Sequence, residues 1–188
     1  MHTILAKFIA AVNVLNEWIG RAVSWLTLVL IGLICLDVVG RKFFSFTRAW
    51  VNDLEWHLFA LIFLLGSGYA LRHGRHVRVD LFYDRFSNRD RALVDAWGSL
   101  LFLVPWCLVV MYFGTRYAWE SFLFREGSPE PGGLPARYVI KATVVLGALL
   151  LLLQGLAILV EKGMQLKGER AHGQEAESVH QTPDRHGR

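Results

Sequence analysis

The 188 residues are 54% hydrophobic and only 19% charged, with 20 Lys and Arg against 16 Asp and Glu for a formal net charge of +4. The apolar share exceeds that of an ordinary soluble domain, and it falls in long blocks separated by short charged stretches, which excludes a soluble amphipathic fold. The positive charge flanks those blocks, so it implies a membrane surface and no nucleic-acid partner.

Lys7 interrupts the early apolar stretch, and no small-x-small site follows a proper apolar core. The N-terminal region is therefore expected to be kept as an anchor, not cleaved as a signal peptide. The first span is predicted at 18–39, broken only by Arg21 and Asp37. About 20 residues at roughly 1.5 Å each suffice for a hydrocarbon core of about 30 Å. From Phe43 to Trp56, the residues Phe46, Trp50, Val51, Leu54 and Leu58 approximate one helical face. Two readings stand: an interfacial amphipathic helix, or the first turns of a second span with an aromatic belt. That span is predicted at 51–71.

The connection from Arg72 to Arg91 places Val79, Phe82 and Phe86 at helical spacing among six arginines. It predicts a short interfacial helix held by anionic lipid head groups. The third span is predicted at 92–113, with Asp95 at its start and Pro105 inside. The run Gly127-Ser128-Pro129-Glu130-Pro131-Gly132-Gly133-Leu134-Pro135 forbids regular helix and predicts a shaped turn. A fourth span is expected at 139–160. Residues 168–188 are polar and rich in Gly, His, Glu and Gln, which predicts a disordered cytoplasmic tail after a membrane domain of residues 1–167. The predicted class is all-α integral membrane, with four transmembrane helices and interfacial amphipathic helices.

Lys and Arg are retained on the cytoplasmic side. With the N-terminus inside, Lys7, the six arginines between spans two and three, and Lys162, Lys167 and Arg170 outnumber the basic residues left outside. Both termini are expected in the cytoplasm.

Chemistry is sparse. Arg21, Asp37, Glu55, His57, Asp95 and Lys141 lie near span ends, where snorkelling or pairing accounts for them. Gly66-Ser67-Gly68 and Gly147 point to close helix packing. Cys35 and Cys107 read as small apolar filler, and no metal or cofactor site is expected. No phosphate loop, nucleophile elbow or zinc spacing is present, so an enzyme is not expected.

Two stretches carry a family resemblance. One is Gly66-Ser67-Gly68-Tyr69-Ala70-Leu71-Arg72-His73-Gly74-Arg75-His76-Val77-Arg78-Val79-Asp80-Leu81, a span that ends in a small-residue patch and Ala-x-Arg, then His-hydrophobic-x-Val-Asp. The other is Pro131-Gly132-Gly133-Leu134-Pro135-Ala136-Arg137-Tyr138-Val139-Ile140-Lys141, followed by Leu153-Gln154-Gly155. With them the chain resembles the small integral-membrane, DctQ-like subunit of tripartite ATP-independent periplasmic (TRAP) transporters. The family often has adjacent acidic residues ahead of span two, where this chain has Asp53-Leu54-Glu55.

The resemblance implies a bacterial inner-membrane subunit that braces a larger permease subunit. That larger subunit would carry sodium-coupled uptake of an organic acid delivered by a periplasmic substrate-binding protein. It further implies structural or subunit-contact roles for Glu55, Gly66, Gly68, Arg72, His76, Asp80, Gly133, Pro135 and Arg137. Arg72, His76 and Asp80 are expected to form one inner-side network, with the Pro-Gly turn and Arg137 shaping the outer surface. The alternative is a haem b or membrane-anchor subunit of a redox enzyme, since such subunits also have four spans and arginine-rich inner loops.

Overall fold

The computed structural model describes residues 2–44, 48–74 and 88–180, and among them every regular element is helical. Helix α1 spans His2–Phe44, α2 spans Ala49–Arg72 and α3 spans Asn88–Gly98. A π-helical turn at Ser99–Leu103 joins α3 to α4, Val104–Leu123, and α5 spans Tyr138–His180. Among the described residues, four stretches are long and apolar enough to cross a membrane: Thr3–Phe44, Ala49–Arg72, Ala96–Leu123 and Tyr138–Met164.

The helices overrun the apolar blocks that reveal them. At 43 residues α1 is about 65 Å long, roughly twice a hydrocarbon core. The third stretch sits further along the chain than 92–113, because the helix passes through Gly114 and Arg116 to Leu123. Pro105 explains the π-helical turn. Its ring has no N–H and crowds the carbonyl four residues back, and widening the preceding turn relieves that crowding without ending the helix.

Within 43–56, Ala49 to Trp56 are continuous with the rest of α2 as its opening turns, with Arg48 in an extended conformation as the cap. The helix predicted around Val79, Phe82 and Phe86 lies outside the described residues. Helix α5 runs on to His180, and residues 181–188 of the tail expected to be disordered from Gly168 lie outside the described residues. Extending a helix already nucleated in a packed stretch costs far less than starting one, which offsets poor composition.

Helix α5 is the centre of the bundle. Helices α1 and α2 pack as an antiparallel pair and both lie on α5, while α3 and α4 cover another flank of it. Small residues let α5 take this place, since lipid supplies no hydrophobic drive and close contact must supply the association. A Cβ at Gly147 would stand 2.7 Å from the Leu64 carbonyl oxygen of α2, and one at Gly68 would stand 3.2 Å from the Leu150 carbonyl oxygen of α5. On the other flank Gly155 receives the Leu103 side chain and Gly114 receives Val145. The outward faces carry large apolar side chains, among them Trp25, Leu36, Phe102 and Trp106.

Gly147→Ala is expected to destabilise the bundle by about 1–3 kcal/mol, because the obstacle is backbone and cannot swing aside. Thermal unfolding of the purified chain in detergent measures this. An unchanged midpoint would mean that α2 and α5 can separate at no cost.

Candidate functional sites: a polar lock and a tied turn

Two clusters of polar side chains join the helices, one towards each end of α2. At the Arg72 end, Asn16 of α1 is fully buried and Gln154 of α5 nearly so. The Asn16 amide nitrogen donates to the Gln154 side-chain oxygen at 2.9 Å and to the Val12 carbonyl at 3.3 Å. The Gln154 amide in turn donates to the Asn13 side-chain oxygen at 3.0 Å. Gly68 of α2 closes over this amide ladder, since a Cβ there would overlap the Asn16 side-chain oxygen. That oxygen has no hydrogen-bond partner among the described residues.

The next residue of α1 after Asn16, Glu17, gathers three basic groups. Arg72 Nη1 donates to Glu17 Oε2 at 2.8 Å and to the Asn13 carbonyl at 2.6 Å. His73 Nε2 lies 3.1 Å from the same carboxylate oxygen, and Arg21 pairs with the other at 2.9 Å. The Tyr69 ring fills the notch left by Gly20 and packs on the His73 ring, with centroids 4.4 Å apart. These residues sit on α1, α2 and α5, with His73 as the residue that caps α2, so the charge network extends the amide ladder to the end of α2.

At the other end, the Pro-Gly segment folds as a turn bonded to itself. Ser128 N–H donates to the Leu134 carbonyl, Gly133 N–H to that of Glu130 and Arg137 N–H to that of Glu126, at 3.0, 3.0 and 2.9 Å. Gly132 (φ 78°) and Ala136 (φ 65°) take the left-handed conformation. The Asp53 carboxylate of α2 ties this turn down by accepting the Leu134 N–H at 2.8 Å, and Gly133 is the residue that admits it, because a Cβ would overlap both Asp53 and Ser128. Pro135 packs over Gly127. Glu126 pairs with Lys141 and lies 3.8 Å from Arg137, and Lys141 also stands over the Tyr117 ring. The Lys141 ammonium beside it holds the Glu126 carboxyl below its usual range.

The residues singled out from sequence are thus divided. Gly68 belongs to the amide lock and Arg72 to the charge network, while Gly133, Pro135 and Arg137 belong to the turn. Gly66 sits at the α1 crossing, its Cβ position 4.0 Å from Val23. Glu55 joins neither cluster: it lines a groove between α1 and α2. His76 and Asp80 lie outside the described residues, so their proposed link to Arg72 has no geometry here; the partners observed for Arg72 are on α1. Asn13, Asn16, Glu17 and Asp53 belong to these clusters without standing among the site residues that the sequence suggests. Glu17 carries a signal in its i, i+4 spacing to Arg21, whereas Asn16 shows its importance only once α5 is laid against it.

The model of the DctQ component of tripartite ATP-independent periplasmic transporters matches residues 30–162. The chain belongs to this family. The matched TRAP region includes Gly68, Arg72, the Pro-Gly turn and Gln154, while Asn16 and Glu17 precede it. Among curated relatives, the sialic acid TRAP transporter permease protein SiaT of Haemophilus influenzae is 24% identical over 144 residues, covering 74% of this chain and 22% of SiaT. The ectoine TRAP transporter small permease protein TeaB of Halomonas elongata is 31% identical over 116 residues, covering 61% of this chain and 58% of TeaB. The chain therefore spans less than two thirds of either relative. With four apolar helices and these relatives, it is a multi-pass membrane protein.

Asn16→Leu and Gln154→Leu should each destabilise by about 1–2 kcal/mol, since each leaves the other amide buried without its partner, and the double variant should cost less than their sum. A thermal-unfolding cycle decides; strict additivity would show that the two amides do not interact. At the turn, Asp53→Ala should release the Pro-Gly segment and speed protease cleavage within 127–135, with the helices still folded by circular dichroism. A cleavage rate equal to that of the parent chain would count against the tether.

Proposed function

We propose that this chain is the small permease subunit of a TRAP transporter in the bacterial inner membrane, and that it braces a larger permease subunit. In this reading both termini are cytoplasmic, so the Arg72 end of α2 faces inward and the Pro-Gly turn faces the periplasm. The larger subunit performs sodium-coupled uptake of an organic acid, which a periplasmic binding protein delivers to it. The reading rests on family membership and, in the structure, on how the polar groups within the helices are used.

The observation that carries the bracing role is the closed amide ladder of Asn13, Asn16 and Gln154 under Gly68. A substrate path needs polar groups free to meet cargo, often where helices are broken. Here Asn16 and Gln154 donate their amide hydrogens within the ladder, and Gly68 covers the unpaired Asn16 oxygen, so the groups fix α1, α2 and α5 together. The broad apolar outer faces then suit contact with lipid and with another membrane subunit.

Co-expression with a large TRAP permease subunit from the same genome tests this. The two should co-purify, the pair with its binding protein should take up substrate in liposomes under a sodium gradient, and this chain alone should transport nothing. Transport by this chain alone would overturn the bracing role.

A further inference from the structure

Between α1 and α2, on the half nearer the Pro-Gly turn, lies a groove of about 370 Å³ lined by Leu30, Ile34, Asn52, Glu55, Trp56 and Phe59. Its walls are mostly apolar, yet it holds a carboxylate. Glu55 Oε1 is buried and has no hydrogen-bond partner among the described residues. Two basic side chains on the neighbouring segments have acidic partners of their own. Arg41 pairs with Asp37 one turn along α1, and Lys141 pairs with Glu126 on the turn side.

The Asp53-Leu54-Glu55 spacing explains the separation. Residues two apart on a helix do not share a face, so Asp53 reaches the turn while Glu55 opens towards α1. A carboxylate in a lipid-facing groove costs several kcal/mol unless it is paired. Trp56, Phe59 and Phe63 continue the same exposed side of α2, at 66%, 55% and 70% exposure.

Depth selects the partner. Glu55 lies seven residues along α2 from Arg48, about 10 Å at 1.5 Å per residue. Its groove neighbour Ile34 lies seven residues, again about 10 Å, from Arg41 on α1. If those arginines mark the head-group level, Glu55 sits below it, where a cation is carried best on a protein helix. On the premise of the subunit role proposed above, we propose that this groove is the docking site of the larger membrane subunit. A lysine or arginine side chain of that subunit seats on the Glu55 carboxylate, and its apolar helix covers Trp56, Phe59 and Phe63.

The test uses the co-expressed complex, with a photo-crosslinking phenylalanine analogue placed either at Phe59 or at Phe113, which is exposed on α4. Phe59 should form an adduct with the large subunit and Phe113 should not. Glu55→Gln, nearly isosteric but uncharged, should weaken association by about 100-fold. Glu55→Lys should abolish it, and selection for restored uptake should return Lys or Arg changes to Asp or Glu in the large subunit. The adduct is read with Glu55 intact, so it does not depend on the variants folding. Intact co-purification with no Phe59 adduct, with adducts to lipid alone, or with Glu55→Gln binding as the parent does would overturn the docking site and leave the subunit role standing. Failure of the unsubstituted pair to co-purify would overturn both.

Discussion

The contact between the Asn16 and Gln154 amides, closed over by Gly68, is the constraint on which the rest of the bundle depends. In lipid, apolar side chains gain little by meeting one another instead of acyl chains, so sequence-distant helices need directional contacts or very close packing to choose one arrangement. The amide pair supplies direction between α1 and α5, and Gly68 supplies closeness for α2. Once those three helices are fixed, the Gly147 crossing on Leu64 and the Tyr69 ring in the Gly20 notch follow as neighbouring contacts along the same seams.

The two ends of α2 are then held by charge in opposite ways. At one end Arg72 and His73 reach across to Glu17, so basic groups of α2 are balanced by an acid of α1. At the other, Asp53 of α2 receives a backbone N–H of the turn that leads into α5. Helix α2 is thereby fastened to the chain before it and the chain after it. The Pro-Gly turn gains its shape from this tether as much as from its prolines, because Gly133 is the residue that admits the carboxylate.

Helices α3 and α4 stand apart from this. They pack on α5 through Leu103 at Gly155 and Val145 at Gly114, with a π-helical turn ahead of Pro105, and among the described residues α5 is their main neighbour in the bundle. The molecule is therefore two flanks on one central helix. One flank is bonded by polar groups, while the other is held by shape.

By itself the sequence determined the class, the number of apolar helices and the position of the Pro-Gly turn, because hydropathy over some 20 residues and turn chemistry at Pro and Gly are local properties. It also singles out Gly68, Arg72, Gly133 and Arg137 by motif, without assigning any of them the contact that it makes. Only the tertiary structure decided what they do. Arg72 meets Glu17, which lies 55 residues earlier, and Asn16 meets Gln154, 138 residues later. Such pairings have no periodicity to betray them. Asp53 and Glu55 look like one acidic motif in the chain, yet a rotation of about 200° over two residues of helix sends one to the turn and the other into a groove. Helix ends were the least legible feature, since α1 and α5 extend well beyond their apolar cores for reasons of packing and propagation that composition does not carry.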